Sequence, residues 1–178
     1  MRYACMLRGV NVSGQRKLTM KELVGLCTTI GFSDVESYLQ SGNIILDSDL
    51  SAAQVEASLE QGIREQYGYA DVDVLAWTAP ELKAAIANVP PAWQDYDTGK
   101  LHFSFIKRSA GGHAKAAATK ADYSPDEFSI GKDVAYVHCP NGYGRTKLNN
   151  SFFEKLLNTR ATTRNWNTTQ KLYELASG

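Results

Sequence analysis

The chain has 178 residues, 43% hydrophobic and 21% charged, with 19 Lys+Arg against 19 Asp+Glu and only 3 Cys. A chain of this length buries about 70% of its unfolded surface, so it specifies one compact globular protein or two small fused domains. Its composition excludes a largely disordered, collagenous or low-complexity chain. No apolar run approaches the roughly 20 residues of a membrane helix, and the start, Met1-Arg2-Tyr3-Ala4-Cys5-Met6-Leu7-Arg8, has no signal core. A cytoplasmic protein of bacterial type, without membrane association, is the expectation.

In chain order, Tyr3 to Arg8 alternates Tyr3, Cys5 and Leu7 with Ala4, Met6 and Arg8, which suits a strand buried on both faces. A polar segment, Gly9 to Lys17, follows. Thr19 and Glu22 form a capping box for a helix with Met20, Leu23, Val24, Cys27 and Ile30 at helical spacing, closed by Gly31. Residues 34–39 and 44–47 read as a hairpin around Gln40-Ser41-Gly42-Asn43. Ser51 and Gln54 cap a second helix whose buried line is Val55, Leu59, Ile63 and Tyr67, and residues 72–77 alternate as a fourth strand. The order β-α-β-β-α-β is the ferredoxin-like arrangement.

Thr78-Ala79-Pro80-Glu81 starts a third helix that ends before Pro90-Pro91. The expected division is a ferredoxin-like domain over 1–89, a polar connection over 90–99, and a second ferredoxin-like domain with C-terminal helices over 100–178. That second part reads as a strand at Leu101 to Ile106, a short Ala-rich helix near 113–120, and a hairpin of Glu127 to Ile130 with Val134 to Cys139. Two helices follow, carrying Phe152, Phe153, Leu156 and Leu157, then Trp166, Tyr173 and Ala176. This half resembles the first in element order but lacks a matching last strand, so it reads as a degenerate repeat. The fold class is α+β, with mainly antiparallel sheets and helices packed on them.

Cys5, Cys27 and Cys139 are too widely spaced for a disulfide framework or zinc knuckle and read as small buried hydrophobes. His102, His113 and His138 have no metal-binding spacing, so neither a metal nor another cofactor is expected. The neutral total conceals an asymmetry: residues 51–99 carry two basic and eight acidic side chains, residues 100–178 twelve and six. Such a distribution suggests a local anion-facing surface.

Four segments could form it. Leu7 to Lys17 is a strand, a Gly-containing loop and a helix start with Arg8, Asn11, Arg16 and Lys17, where backbone donors and cations could hold an anion. It fits neither the dinucleotide nor the Walker pattern; an ordinary crossover loop is the plain alternative. A split β-α-β unit brings the turn with Gln40, Ser41 and Asn43 to the same sheet end. Pro140 to Leu148, with Asn141, Arg145 and Lys147, leads from a strand into a helix capped by Asn149 or Asn150. Ala161 to Thr169, with Arg164, Asn165 and Asn167, precedes the last helix, which Thr162 or Thr163 can cap.

These blocks resemble the bacterial domain-of-unknown-function family numbered 1697: Leu7 to Val12 with Gly14 and Lys17, Gln40 to Asn43, Pro140 to Leu148, and Ala161 to Thr168. The resemblance implies a cytosolic α+β fold of two ferredoxin-like halves and implies no established activity. Val10 stands where Ile is frequent in that family and Thr146 where Ser is frequent, both conservative changes.

From the residues, the leading expectation is a site for a phosphate-bearing or anionic ligand, a nucleotide or nucleic-acid segment being the natural partners. An RNA-stacking platform fits less well, because strand three offers no aromatic and Phe103 and Phe105 with Leu101 read as core. The alternatives are a small enzyme acting on a phosphorylated or acyl metabolite and a structural protein whose polar blocks hold the halves together. For the enzyme, the sequence shows no nucleophile elbow and few acids near the basic blocks, and only Ser41, Tyr143 and His138 there can move a proton.

Overall fold

A computed structural model describes residues 1–11, 16–108 and 122–178. The expected helix near 113–120 lies outside the described residues. The chain divides into two compact units, Met1–Lys83 with Lys171–Gly178, and Ala84–Gln170.

The first unit is built from β1 (Arg2–Arg8), α1 (Met20–Ile30), β2 (Ser33–Ser37), β3 (Asn43–Asp47), α2 (Ala52–Tyr67) and β4 (Asp73–Thr78). Its sheet order is β2-β3-β1-β4, antiparallel at every described pairing, which is the ferredoxin-like topology. Thr19 and Glu22 form the capping box of α1, and Gly31 ends that helix in the left-handed conformation at φ 107°. Ser51 and Gln54 repeat the box on α2. Tyr3, Cys5, Leu7, Ile44, Leu46, Val74 and Ala76 form one core with Leu23, Cys27, Val55, Leu59 and Ile63 of the helices. Ala4, Met6, Ile45, Leu75 and Trp77, on the opposite face, are also buried; for Ala4 and Met6 this matches a β1 with apolar residues on both faces.

β4 pairs with β1 on one side, and carboxylates of helix α2 and of the helix that follows β4 satisfy donors on its other side. Glu60 and Glu56, one turn apart, accept from Val74 N at 2.8 Å and Ala76 N at 2.9 Å, and Glu81 accepts from Thr78 N at 2.8 Å. Carboxylates thus occupy edge donors that would otherwise recruit another strand.

α3 (Ala79–Ala87) follows β4. The second unit has β5 (Leu101–Ile106), β6 (Glu127–Ile130), β7 (Val134–His138), α4 (Asn150–Leu157) and β8 (Ala161–Asn165), and α5 (Trp166–Ala176) closes the chain. The sheet order is β6-β7-β5-β8. Ile106, Ala135, Val137, Cys139, Phe153, Leu157 and Ala161 form its core on the α4 side. Leu101, Phe103 and Phe105 are buried as expected, with Phe103 edge-on to Tyr136 at 5.7 Å.

β8 supplies the last strand that the sequence did not reveal. Residues 161–165 look like a polar approach to a helix, yet they pair with β5 from Ile106↔Ala161 to His102↔Asn165. The β-branched Thr162 and Thr163 suit a strand, and local partners satisfy their hydroxyls: Thr162 accepts from the buried Arg164 at 2.9 Å, and Thr163 lies 2.6 Å from Asn150 Oδ1. The cap of α5 moves accordingly from the threonines to Asn165, whose Oδ1 accepts from Thr168 N at 2.8 Å.

All three cysteines are free and buried. No helix among the described residues is long and apolar enough to cross a membrane.

Candidate functional site

In the first unit β1 and β2 both run antiparallel to β3 and therefore parallel to each other. The loop after β1 and the turn after β2 leave the sheet at one end. Leu7 N donates to Gly42 O at 2.8 Å, and Asn11 Nδ2 donates to Gln40 O at 3.0 Å and Leu18 O at 2.8 Å. Asn11 Oδ1 also accepts from Leu18 N at 2.9 Å. Asn43 is fully buried and donates to Tyr38 O at 2.9 Å and Ser41 Oγ at 3.0 Å. Arg16 pairs with Asp71 and donates to Gly9 O at 3.2 Å.

Among the residues singled out here, then, Asn11 and Asn43 are committed to holding their own loops. Arg8 is half-buried at the end of β1, opposite Asp73 of β4. Lys17 and Gln40 are exposed, and their carbonyls accept from Tyr69 and Asn11.

In the second unit the pairing Glu127↔His138 places the segment before β6 beside the segment after β7. Between them lies a groove of about 310 Å³ lined by Asp122, Tyr123, Ser124, Pro125, Asp126, Asn141, Gly142, Arg145 and Lys147. Its two walls are fixed independently. On the first, the Tyr123 ring sits edge-on to Phe152 at 5.2 Å and Phe128 at 6.1 Å. Asp122 Oδ1 there accepts from Ser124 N at 2.9 Å, and the hydrogen bonds from Ser124 lower its pKa.

On the second wall Gly142 adopts φ 92°, where a side chain would be strained, and starts a short 3-10 turn over Tyr143–Arg145. Gly142 N donates to Cys139 O at 3.0 Å, Thr146 N to Tyr143 O at 3.2 Å and Leu148 N to Thr146 Oγ1 at 3.0 Å. The Tyr143 ring stacks on His102 at 4.7 Å.

Arg145 and Lys147 are exposed on this wall, and neither side chain makes a hydrogen bond or ion pair among the described residues. Asp126, which lines the same groove, likewise makes no side-chain hydrogen bond or ion pair among the described residues. Two carboxylates therefore stand close to the basic loop, although the sequence reading found acids scarce around it. They lie about twenty residues earlier in the chain, and the β6–β7 hairpin brings them across; the flanked Ser124-Pro125 signals only a turn at the sequence level.

The remaining residues of the set have other surroundings. Arg164 is buried in β8 and donates to Thr162 Oγ1 and Thr163 O, each at 2.9 Å. Burial lowers its pKa to about 10, opposed by the neighbouring Tyr143. Asn165 caps α5, while Asn167 is exposed in its first turn. The three proton-transfer residues are unequal. Ser41 Oγ accepts from Asn43. Burial raises the Tyr143 pKa, partly offset by Thr163 and Arg164. His138 packs against Tyr96 at 4.2 Å and Trp93 at 6.2 Å, with its Nδ1 3.8 Å from Glu127. No group of three metal-ligating side chains occurs among the described residues.

Fold and groove together define an α+β protein of two ferredoxin-like halves, the second bearing a groove with a basic and an acidic wall. The chain belongs to the family described as "Protein of unknown function (DUF1697)", matched over residues 1–136. The blocks at 140–148 and 161–168, including the basic wall, lie beyond that matched segment. A solved structure, that of a conserved bacterial protein from Streptococcus pneumoniae, is similar over 98% of both chains at 25% identity and a TM-score of 0.74. No curated protein matches the chain.

Proposed function

We propose that the protein binds a phosphate-bearing small molecule, a nucleotide or sugar phosphate, through Arg145 and Lys147 of the second-unit groove. The observation that carries this reading is that both cations line a preformed concavity without a carboxylate partner. Arg offers a planar fork for phosphate oxygens and Lys a mobile point charge. The fixed wall beneath them reduces the ordering cost of binding. Asn141, on the same loop and exposed, supplies a neutral hydrogen-bonding group.

The groove's size supports a small molecule over a nucleic-acid segment, since about 310 Å³ is near the lower bound of ordinary ligand sites. A thermal-shift panel of inorganic phosphate, AMP, ribose 5-phosphate and short oligonucleotides tests the reading. A ligand at 100 times its dissociation constant stabilises the native state by about 2.7 kcal/mol, and the double variant Arg145→Gln/Lys147→Gln is expected to abolish the shift. No shift with any probe, or an undiminished shift in the variant, would refute it.

For the loops at the β1–β2 end a structural role is favoured by a separate observation, the internal hydrogen bonds of Asn11 and Asn43. These side chains hold the polar loops in place.

A further inference from the structure

The second-unit groove carries charges of both signs on separate walls, and that arrangement narrows its ligand. Arg145 and Lys147 line one side, Asp122 and Asp126 the other, and no ion pair joins them. Oppositely charged side chains in one small concavity would pair if their backbones let them meet. Here Tyr123, held by Phe128 and Phe152, and Tyr143, stacked on His102, anchor the two walls. A simple anion gains from the basic wall and is opposed by the acidic one. A ligand with charge at both ends satisfies both.

We infer that the groove takes a zwitterionic phosphate ester, its phosphate on Arg145 and Lys147 and a primary ammonium group on Asp126 and Asp122. This rests on the phosphate reading above and adds the second pole. The ammonium is preferred to a neutral hydroxyl because it forms charge-assisted hydrogen bonds with carboxylates, which are roughly twice as strong as neutral ones. The groove volume of about 310 Å³ suits an aminosugar phosphate or a compound of similar size.

The test compares three probes on the full chain by isothermal titration calorimetry: inorganic phosphate, glucose 6-phosphate and glucosamine 6-phosphate. The two sugars differ only in one hydroxyl against one ammonium. Glucosamine 6-phosphate is expected to bind about tenfold more tightly than glucose 6-phosphate, a difference of about 1.4 kcal/mol. Asp126→Asn is expected to erase that preference while leaving phosphate binding in place. Arg145→Gln/Lys147→Gln is expected to weaken all three. Equal affinity for the two sugars, or a preference that survives Asp126→Asn, overturns the zwitterion inference and leaves the phosphate reading standing. Absence of binding by all three probes overturns both.

Discussion

Gly42 offers the sharpest test of how the polar turn is built. It closes the β2–β3 turn at φ 79°, and a Cβ there would stand 2.7 Å from Val10 Cγ2 and 2.9 Å from Leu7 Cβ. Both neighbours are buried, at 3% and 2% exposure. Leu7 cannot rotate away, because its Cβ is fixed to a backbone whose N–H donates to Gly42 O at 2.8 Å. Left-handed backbone costs a non-glycine residue about 1–2 kcal/mol, and overpacking a filled core costs about 1–3 kcal/mol. Gly42→Ala is therefore expected to lose about 2–5 kcal/mol, a large share of the roughly 5–15 kcal/mol that holds a native domain. Urea unfolding followed by circular dichroism measures the loss, and amide exchange at Leu7 localises it. A loss below about 0.5 kcal/mol, the range of an ordinary surface change, with Leu7 exchange unaltered, would refute the close-approach argument.

Removing the edge cap of β4 by Glu56→Ala is expected to cost about 1.5–3 kcal/mol, the range for a hydrogen bond to a charged group. Glu56→Gln keeps a neutral acceptor and should retain part of it; faster Ala76 amide exchange in Glu56→Ala than in Glu56→Gln would mark the lost acceptor, whereas unchanged exchange in Glu56→Ala would count against it. Thr19→Ala breaks the α1 capping box and should lower stability by about 1 kcal/mol in thermal melts. Tyr136 donates to Ala85 O at 2.9 Å, and burial pushes its phenol from 10.0 to about 12. A folded-state value above the unfolded one stabilises the fold fully below the unfolded value and loses that contribution as pH rises to the folded one. Stability should therefore fall between pH 10 and about 12, less steeply in Tyr136→Phe; denaturant midpoints across that window would be parallel in the two proteins if the reasoning were wrong.

The legible parts of the fold were those where one physical cause dominates. Both capping boxes, the Gly31 stop and the apolar lines of α1 and α2 follow from local chemistry alone. The strand Leu101–Ile106 is apolar enough to need no context. β8 was hidden because strand formation there depends on pairing with β5 and on partners such as Asn150 and Arg164 that satisfy its hydroxyls. β2 is shorter than expected because Leu39 turns to φ 59° and leaves the ladder. The acidic wall of the groove was illegible for a related reason: Asp122 and Asp126 reach Arg145 and Lys147 only through hairpin register.

The candidate residues also separate by a property that sequence does not carry, namely whether a side chain's hydrogen-bonding capacity is already used. Asn11, Asn43 and Asn165 look as ligand-ready in the sequence as Asn141, yet each occupies backbone groups that a loop or helix end would otherwise leave unsatisfied. Arg164 resembles Arg145 in composition and neighbours, yet it is buried in β8 and bonded to Thr162 and Thr163. What distinguishes Arg145 and Lys147 is that they line the same groove as two carboxylates and that the pairs are left unmade. Exposed ion pairs contribute little to stability, about 0–1 kcal/mol, so keeping these charges apart costs the fold little. Under the proposed reading, a ligand gains from both walls only by bringing a charge of each sign.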